Sequence, residues 1–206
     1  MLARTLVSAL TASLLLGACH DEHATTSAPS AAQTAHGDAS DPASSVEGKL
    51  VLSSSAFAPG AALPKKYSCE GDNVSPPLTW ASAPPATKSF ALIVKDPDAP
   101  DPAAPQRVVT HWLVYNLPGD VFSLDEGEKA LPAAARQGKN EHGDARYMGP
   151  CPPIGRHRYF FKLYALDVVL PEIAGADKAK LEAAMKGHVV AEGQLIGTYE
   201  KSGKGK

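Results

Sequence analysis

Short runs of aliphatic, β-branched and aromatic residues, separated by segments rich in Pro, Gly and Asp, dominate the sequence from residue 49 to residue 199. Runs of this length and composition, bounded by turn-forming residues, are typical of β-strands. The clearest are residues 50–53, 90–95, 111–117, 158–166 and 193–199. Because such segments are stable only when they pair with one another, the sequence predicts a mainly β domain.

One segment has the spacing of a helix instead. Between residue 177 or 178 and residue 186, apolar side chains recur at Leu181, Ala184 and Met185, and Gly187 follows as a stop signal. We expect this helix to pack on the sheet. The stretch from residue 49 to residue 200 has about 150 residues, the size of one ordinary domain with a single core.

The amino terminus has the pattern of an export signal. Arg4 is followed by an apolar stretch that reaches Ala18, shorter than the roughly 20 residues of a membrane-spanning helix but typical of a signal peptide. It ends in Leu16-Gly17-Ala18-Cys19, which resembles a bacterial lipobox. We predict a lipoprotein signal peptide at residues 1–18 and lipidation of Cys19; the alternative is an ordinary cleaved signal with an incidental cysteine.

Residues 19–48 consist largely of Ala, Ser, Thr, Asp and Pro. Such a composition cannot bury enough apolar surface to offset the entropy of ordering, so this segment is predicted to be a disordered tether behind the lipidated Cys19. The folded domain is predicted at residues 49–200, and residues 201–206 are predicted to form a flexible tail. A formal net charge of −2 and the absence of a basic stripe argue against a nucleic-acid-binding protein.

Two cysteines follow Cys19 in the chain, Cys69 and Cys151. An exported protein meets oxidising conditions, under which thiols pair. We therefore predict a disulfide between them. Two buried thiols, or a pair of metal ligands, are the alternatives that the sequence leaves open.

Three polar segments lie at the ends of predicted strands. Residues 96–100 (DPDAP) follow one strand, residues 111–112 (HW) open the next, and residues 149–159 (GPCPPIGRHRY) lead into another. The many prolines in these connections favour rigid loops, and rigid loops on a β scaffold are common sites of binding pockets. The three segments converge only if their strands are neighbours.

Convergence would create a site for an anion. Asp96 and Asp98 could then orient His111 and His157, and a backbone N–H near Gly149 could donate to a phosphate or carboxylate. Because histidine titrates near pH 6.5, we expect binding to strengthen as the pH falls through that range.

Taken together, these segments resemble the two signature regions of the phosphatidylethanolamine-binding protein family, and more closely those of its bacterial Raf-kinase-inhibitor-like branch. The resemblance continues in residues 67–80 (YSCEGDNVSPPLTW), 114–118 (VYNLP), 185–188 (MKGH) and 197–199 (GTY). It extends over about residues 50–199, essentially the whole predicted domain.

The resemblance implies a β-sandwich of antiparallel sheets, with one or two short helices near the C-terminus and a small anion pocket at one end. In this family the pocket accepts phosphate-bearing headgroups. The implied ligand-binding positions in this chain are Asp96, Asp98, Pro100, His111, Gly149, His157 and Tyr159. Asp96 would hold a histidine in one tautomer, and both histidines would face the ligand.

Two of these positions have a simpler structural interpretation. His157 could be a hydrogen-bonded core histidine, and Asp98 could be a turn residue bonded to its own backbone. Asp98 and Pro100 are otherwise expected to shape the rim of the pocket, and a disulfide between Cys69 and Cys151 would join two segments that border it.

The predicted function is that of a non-enzymatic binding protein in the bacterial cell envelope, lipid-anchored to a membrane with its domain facing the periplasm or the exterior. Its ligand is expected to be a small anion or a phospholipid headgroup, held without cofactor or metal, and it could also inhibit or regulate a protein partner that the sequence does not identify. The alternative is a metal-assisted phosphoester hydrolase that uses Asp96, His111 and His157. No G-x-S-x-G or H-E-x-x-H motif accompanies those residues.

Overall fold

The computed structural model describes residues 49–127 and 131–203. The predicted signal peptide, the lipidated Cys19 and the tether lie outside the described residues, as do residues 204–206 of the predicted tail. Within the described ranges, no helix is both long enough and apolar enough to cross a membrane.

The described elements follow one another as β1 (Val51–Ser53), a 3₁₀ helix (Lys65–Tyr67), β2 (Leu78–Ala81), β3 (Ser89–Ala99), β4 (Arg107–Pro118), β5 (Ser123–Leu124), β6 (Arg136–Gly138), β7 (His157–Leu166), α1 (Lys178–Met185) and β8 (Val189–Tyr199). The strands form a five-stranded sheet in the order β6-β4-β3-β7-β8 and a three-stranded sheet in the order β1-β2-β5. All pairings within the two sheets are antiparallel. The predicted sandwich of antiparallel sheets is confirmed.

Strand β3 lies in the middle of the large sheet, between β4 and β7, and its apolar run is buried on both faces. Phe90, Leu92 and Val94 share a core cluster with Leu52 and Trp80 of the small sheet. This cluster is the interior of the sandwich. A strand covered on both sides needs apolar residues at consecutive positions, which explains why the sequence FALIV has no polar alternation.

The opposite face of the large sheet is covered by the helix. Ala91 and Ile93 of β3 belong to a second core cluster with Leu113 of β4, and Leu181 and Met185 of α1 complete it. The helix that the sequence predicted therefore packs on the sheet as expected.

The five predicted strand runs correspond to β1, β3, β4, β7 and β8. One boundary was wrong: residues 96–99 continue β3 instead of following it, because Asp96 pairs with Val109 and Ala99 with Arg107 of β4. The pairing of β3 with β4 shifts register in this part of the strand. The apolar pattern of one strand does not reveal such shifts, so the sequence did not show that the strand continues. Strands β2, β5 and β6 were not predicted, since none exceeds 4 residues.

The segment that contains β1 carries the chain to the end of the large sheet where the candidate site lies. Lys49 bridges Glu192 near the start of β8, and Ala62 bridges Thr198 near its end, both in the parallel sense. Residues 49–63 thus run beside β8 toward the end that pairs with the start of β7. The 3₁₀ helix and the loop after it consequently lie at that end.

We expect Asp177→Ala to lower the free energy of unfolding by about 1 kcal/mol, because Ala cannot cap a helix N-terminus. The Asp177 Oδ1 atom accepts a hydrogen bond from the Lys180 backbone N–H at 2.9 Å. Guanidinium denaturation of the oxidised domain measures the effect. Asp177→Ser retains a capping oxygen and should stay close to the parent; equal losses in the two variants would contradict a capping role.

Candidate functional site

A pocket of about 280 Å³ opens at the end of the large sheet where β3 ends, β4 begins and β7 begins. Because β4, β3 and β7 are antiparallel neighbours, these three strand ends lie at one edge. The convergence that the sequence analysis required is therefore present. The predicted site residues that line the pocket are Asp96, Pro100, His111, Gly149, His157 and Tyr159.

Asp96 and His157 form a buried pair across β3 and β7. His157 Nδ1 lies 2.7 Å from Asp96 Oδ2, and His157 Nε2 lies 3.0 Å from the Ile154 carbonyl oxygen. Both ring nitrogens therefore face an oxygen of the protein. The other carboxylate oxygen, Asp96 Oδ1, accepts the Asp98 backbone N–H at 2.8 Å. His157 was expected to present a nitrogen to the ligand; in this arrangement both of its nitrogens are already bonded to the protein.

His111 is oriented differently. Its Nδ1 lies 2.7 Å from the Met148 carbonyl oxygen, which can only accept, so Nδ1 carries the proton. Burial lowers the pKa of His111, and the Met148 carbonyl and the Asp96 charge oppose this only in part. The ring is therefore neutral near pH 7, with a lone pair on Nε2. That buried Nε2 has no hydrogen-bond partner among the residues that the structure describes.

Tyr159 lies against His111 at the inner wall of the pocket. The two rings meet edge to face with their centroids 5.1 Å apart. The buried Tyr159 hydroxyl likewise makes no hydrogen bond of normal length and angle in residues 49–127 and 131–203, although the Asp96 carboxylate lies near enough to interact with it. Burial, followed by the nearby Asp96 charge, raises the pKa of Tyr159 well above its usual value. The hydroxyl therefore keeps its proton and can donate it to a ligand.

The peptide unit between Met148 and Gly149 is held from both sides. Its carbonyl accepts from His111, and its N–H donates to Asn73 Oδ1 at 2.8 Å. A Cβ atom at Gly149 would lie 2.5 Å from Asn73 Oδ1 and 2.5 Å from the Tyr67 carbonyl oxygen, so only glycine fits. This bond already uses the N–H of Gly149 itself. Donation to an anion from a backbone N–H near Gly149 stays a prediction.

The predicted disulfide is confirmed. Cys69 and Cys151 are bonded, with their Cα atoms 5.4 Å apart. The backbone N–H of Cys69 also donates to the Pro150 carbonyl oxygen at 3.0 Å. The loop after the 3₁₀ helix is thereby fastened to residues 148–151, and both cysteines line the pocket.

Asp98 and Pro100 have different places. Pro100 lines the pocket after a cis Ala99–Pro100 peptide bond. Asp98 is buried behind the wall, where its Oδ1 accepts from Arg158 Nη2 at 2.7 Å and its Oδ2 accepts from Arg158 Nε at 2.9 Å. Burial would raise the pKa of Asp98, but the hydrogen bonds from Arg158 outweigh it and hold the pKa below its usual value. Asp98 is therefore a partner of Arg158, whereas the sequence analysis placed it at the rim.

The sequence analysis missed the charged residues at the mouth. Arg107 lies 3.7 Å from Glu141, and Arg146 lies 3.1 Å from Asp144. The loop that carries three of them is organised by Asn140, whose Oδ1 accepts the backbone N–H groups of residues 142 and 144. The segment NEHGD has the composition of an Asx-type turn, which was the available signal.

The three side chains proposed as metal ligands do not form a metal site. In the described residues, no group of three or more His, Cys, Asp or Glu side chains is arranged to hold a metal ion. Asp96 and His157 bond each other, and His111 offers one nitrogen. The geometry gives no support to the metal-assisted hydrolase.

The family model described as "Phosphatidylethanolamine-binding protein" matches residues 53–200. This chain belongs to that family. The UPF0098 protein of Chlamydia pneumoniae is 49% identical over 153 residues, covering 74% of this chain and 100% of the relative. The UPF0098 protein of Methanothermobacter thermautotrophicus is 46% identical over 153 residues, covering 73% of this chain and 98% of the relative.

Solved structures agree with this family assignment. A phosphatidylethanolamine-binding protein homologue from Chlamydia trachomatis superposes with a TM-score of 0.69 at 46% identity, covering 75% of this chain and 99% of the other. YbcL from E. coli superposes with a TM-score of 0.68 at 32% identity, again covering 75% and 99% of the two chains. The resemblance noted in the sequence is confirmed, and the names of these family relatives include no enzymatic activity.

We expect Asn73→Gly to lower the free energy of unfolding by about 1–2 kcal/mol, because the buried N–H of Gly149 loses its acceptor. Asn73 has φ 55°, which glycine adopts freely, so the variant does not add backbone strain. Asn73→Asp keeps an acceptor and should lose less. Guanidinium denaturation of both variants makes the comparison, and an unchanged Asn73→Gly would show that this hydrogen bond contributes no net stability.

Proposed function

We propose that this member of the phosphatidylethanolamine-binding protein family binds a small oxyanion or a phosphate-bearing headgroup in the pocket at the end of its large sheet. Four buried polar side-chain atoms in the described part of the chain lack a hydrogen-bond partner. The observation that carries the proposal is that two of them, His111 Nε2 and the Tyr159 hydroxyl, belong to residues that line this one pocket. Buried polar groups are nearly always satisfied. Two unsatisfied atoms at the wall of one pocket point to a ligand that completes them.

The size of the pocket supports a small ligand. Its volume of about 280 Å³ is at the lower end of the roughly 300–1,000 Å³ that is usual for small-molecule sites. A phosphate or a phosphoethanolamine unit fits such a space, and two acyl chains do not. The ligand is therefore proposed to be the polar group itself, whether free or attached to a larger molecule outside the pocket.

The charges at the mouth support a ligand of low net charge. Each arginine there, Arg107 and Arg146, has a carboxylate neighbour, Glu141 and Asp144 respectively. The mouth consequently offers both signs of charge. A singly charged anion or a zwitterion suits this surface better than a multiply charged anion does.

We propose that the protein acts by binding rather than by catalysis. Hydrolytic chemistry needs a nucleophile within hydrogen-bond reach of a base. In the pocket, Asp96 and His157 are committed to each other, and the described residues that line it include no Ser or Thr. Its two cysteines are joined in the disulfide, so His111 has no hydroxyl or thiol nucleophile of these types to activate. These bonds make a preorganised wall, which suits recognition.

We also propose that the protein works in the bacterial cell envelope as a lipoprotein, anchored through Cys19. The support is the spacing Leu16-Gly17-Ala18-Cys19 after an apolar stretch, together with the polar segment that separates Cys19 from the folded domain. The Cys69–Cys151 disulfide suits an oxidising compartment. Regulation of a protein partner remains an expectation of the family resemblance.

Isothermal titration calorimetry of the domain with phosphoethanolamine tests the ligand proposal. We expect the affinity to rise as the pH falls from near 8 to near 6, by up to about tenfold per pH unit. The complex of the oxyanion with His111 holds one proton more than the free ligand and the free protein hold together. Binding therefore takes up a proton, and a lower pH favours it. Absence of saturable binding at either pH would refute the anion pocket.

The matched variants are His111→Phe and His188→Phe. The first keeps an aromatic ring but removes both nitrogens, so we expect affinity to fall by roughly tenfold or more. The second changes an exposed histidine that is paired with Asp167, away from the pocket, and should bind like the parent. Thermal melts of both variants verify that they are folded.

For the anchor, we expect Cys19→Ala to move the full-length protein from the membrane fraction to the soluble fraction of the expressing cells, because residue 19 then has no thiol to be acylated. Ser30→Ala, in the predicted tether, is the control and should stay with the membrane. Detergent partitioning followed by immunoblotting reads out the result. Unchanged partitioning of Cys19→Ala would disprove the lipid anchor.

A further inference from the structure

The inner wall of the pocket is formed by His111 and Tyr159, and the direction in which each can hydrogen-bond restricts the class of ligand that fits. The Met148 carbonyl takes the Nδ1 proton of His111, which leaves Nε2 of the neutral ring as an acceptor. The carbonyl cannot turn away easily, because the N–H of the same peptide unit is bonded to Asn73. The Tyr159 hydroxyl is the complementary donor. The inner wall thus offers one acceptor and one donor side by side.

The groups around His111 keep it an acceptor. Asp96 on β3 and Glu141 in the loop favour a proton on the ring, whereas burial and His142 in the same loop oppose one, and burial dominates. Asp96 already bonds His157 on β7. Arg107, on the same strand as His111, lies at the mouth beside Glu141. The net effect is a lowered pKa of His111.

We propose that the pocket selects oxyanions that carry a proton of their own, namely phosphate monoesters and hydrogen phosphate. The P–OH group of the ligand donates to His111 Nε2, and a second phosphate oxygen accepts from the Tyr159 hydroxyl. This inference rests on the proposed function and narrows its ligand to one chemical class.

The inference separates two sources of phosphate. A phosphate monoester has a second pKa near 6, so close to neutrality part of it carries a P–OH group. The phosphodiester of an intact phospholipid has no such group, and neither does a sulfate ester. Either of these would bring an oxygen lone pair against the lone pair of His111 Nε2, an arrangement that leaves a buried acceptor unsatisfied. Soluble monoesters are therefore favoured over lipid headgroups.

Three probes that all carry the same ammonium group test the inference: phosphoethanolamine, ethanolamine O-sulfate and glycerophosphoethanolamine. Near pH 5.5 the first two have the same size and nearly the same charge, and they differ in the ligand proton. We expect the monoester to bind roughly tenfold or more tightly than the sulfate ester, and more tightly than the diester. Calorimetry of the oxidised domain gives the three dissociation constants.

Proton uptake provides the second readout. Titrations of phosphoethanolamine in buffers of different ionisation enthalpy should show uptake of close to zero protons near pH 5.5 and about one near pH 8, where the ligand arrives as a dianion. Equal affinity for the sulfate ester near pH 5.5, with one proton taken up, would mean that a protonated His111 donates to the anion. That result would overturn the inference and leave the proposed function standing.

The remaining outcomes are also decisive. If the diester binds more tightly than the monoester, a lipid headgroup is the ligand and the inference falls. If none of the three probes gives saturable heat, both the inference and the proposed function fall.

Asn73 is the positioning residue in this scheme, and its variants give a test apart from stability. Asn73→Gly frees the peptide that holds His111 in one tautomer, so we expect the ratio of monoester to sulfate-ester affinity to drop severalfold. Asn73→Asp keeps the acceptor for Gly149, and although its charge weakens both anions, their ratio should stay near the parent value. A ratio that Asn73→Gly leaves unchanged would overturn the positioning role.

Discussion

The pocket depends on the buried contact between Asp96 and His157. The ladder between β3 and β7 runs without interruption from Ser89 and Leu166 to Lys95 and Phe160. Beyond that point β3 continues only with β4, and the 2.7 Å side-chain contact between Asp96 and His157 replaces the backbone ladder. Both side chains are almost completely buried, so losing one would leave the other unpaired in a dry environment, at a cost of several kcal/mol. Strands β3 and β7 can therefore diverge to form the pocket, while the contact between Asp96 and His157 keeps its wall rigid.

The peptide between Met148 and Gly149 adds the second constraint. It lies between Asn73 on one side and His111 on the other, and the Cys69–Cys151 disulfide fastens the adjoining segment to the loop that carries Asn73. A rigid backbone carbonyl selects one tautomer of the histidine beside it. Main-chain geometry therefore decides whether the pocket offers a ligand an acceptor or a donor.

Family membership establishes the architecture of the domain, whereas the choice of ligand depends on the atoms that line the pocket. A pocket that was simply cationic would attract any anion. Here the mouth balances Arg107 and Arg146 against two carboxylates, and the inner wall pairs an acceptor on His111 with a donor on Tyr159. Under the proposed function, such a site would discriminate by hydrogen-bond direction, which penalises a mismatched ligand more strongly than a small difference in charge or size does.

Much of the fold follows from local patterns. Consecutive apolar residues marked the central strand, and helical spacing with a glycine stop marked α1. The short strands β2, β5 and β6 escaped notice because two to four residues carry no clear periodicity. Most of the candidate pocket residues were also recognisable from motifs, whereas the loop carrying Arg146 was not, since its charges resemble an ordinary solvated turn.

The sequence by itself determined the β architecture, the two cysteines available for a disulfide and the set of polar side chains available at one end of the sheet. Only the tertiary structure decided what each of those side chains is free to do. His157 meets Asp96 across 61 residues, His111 meets Met148 across 37, and Gly149 meets Asn73 across 76. Which ring nitrogen keeps a lone pair depends on these distant partners. The direction of a hydrogen bond is set by both of the groups that form it, and the local sequence around one group does not identify the other.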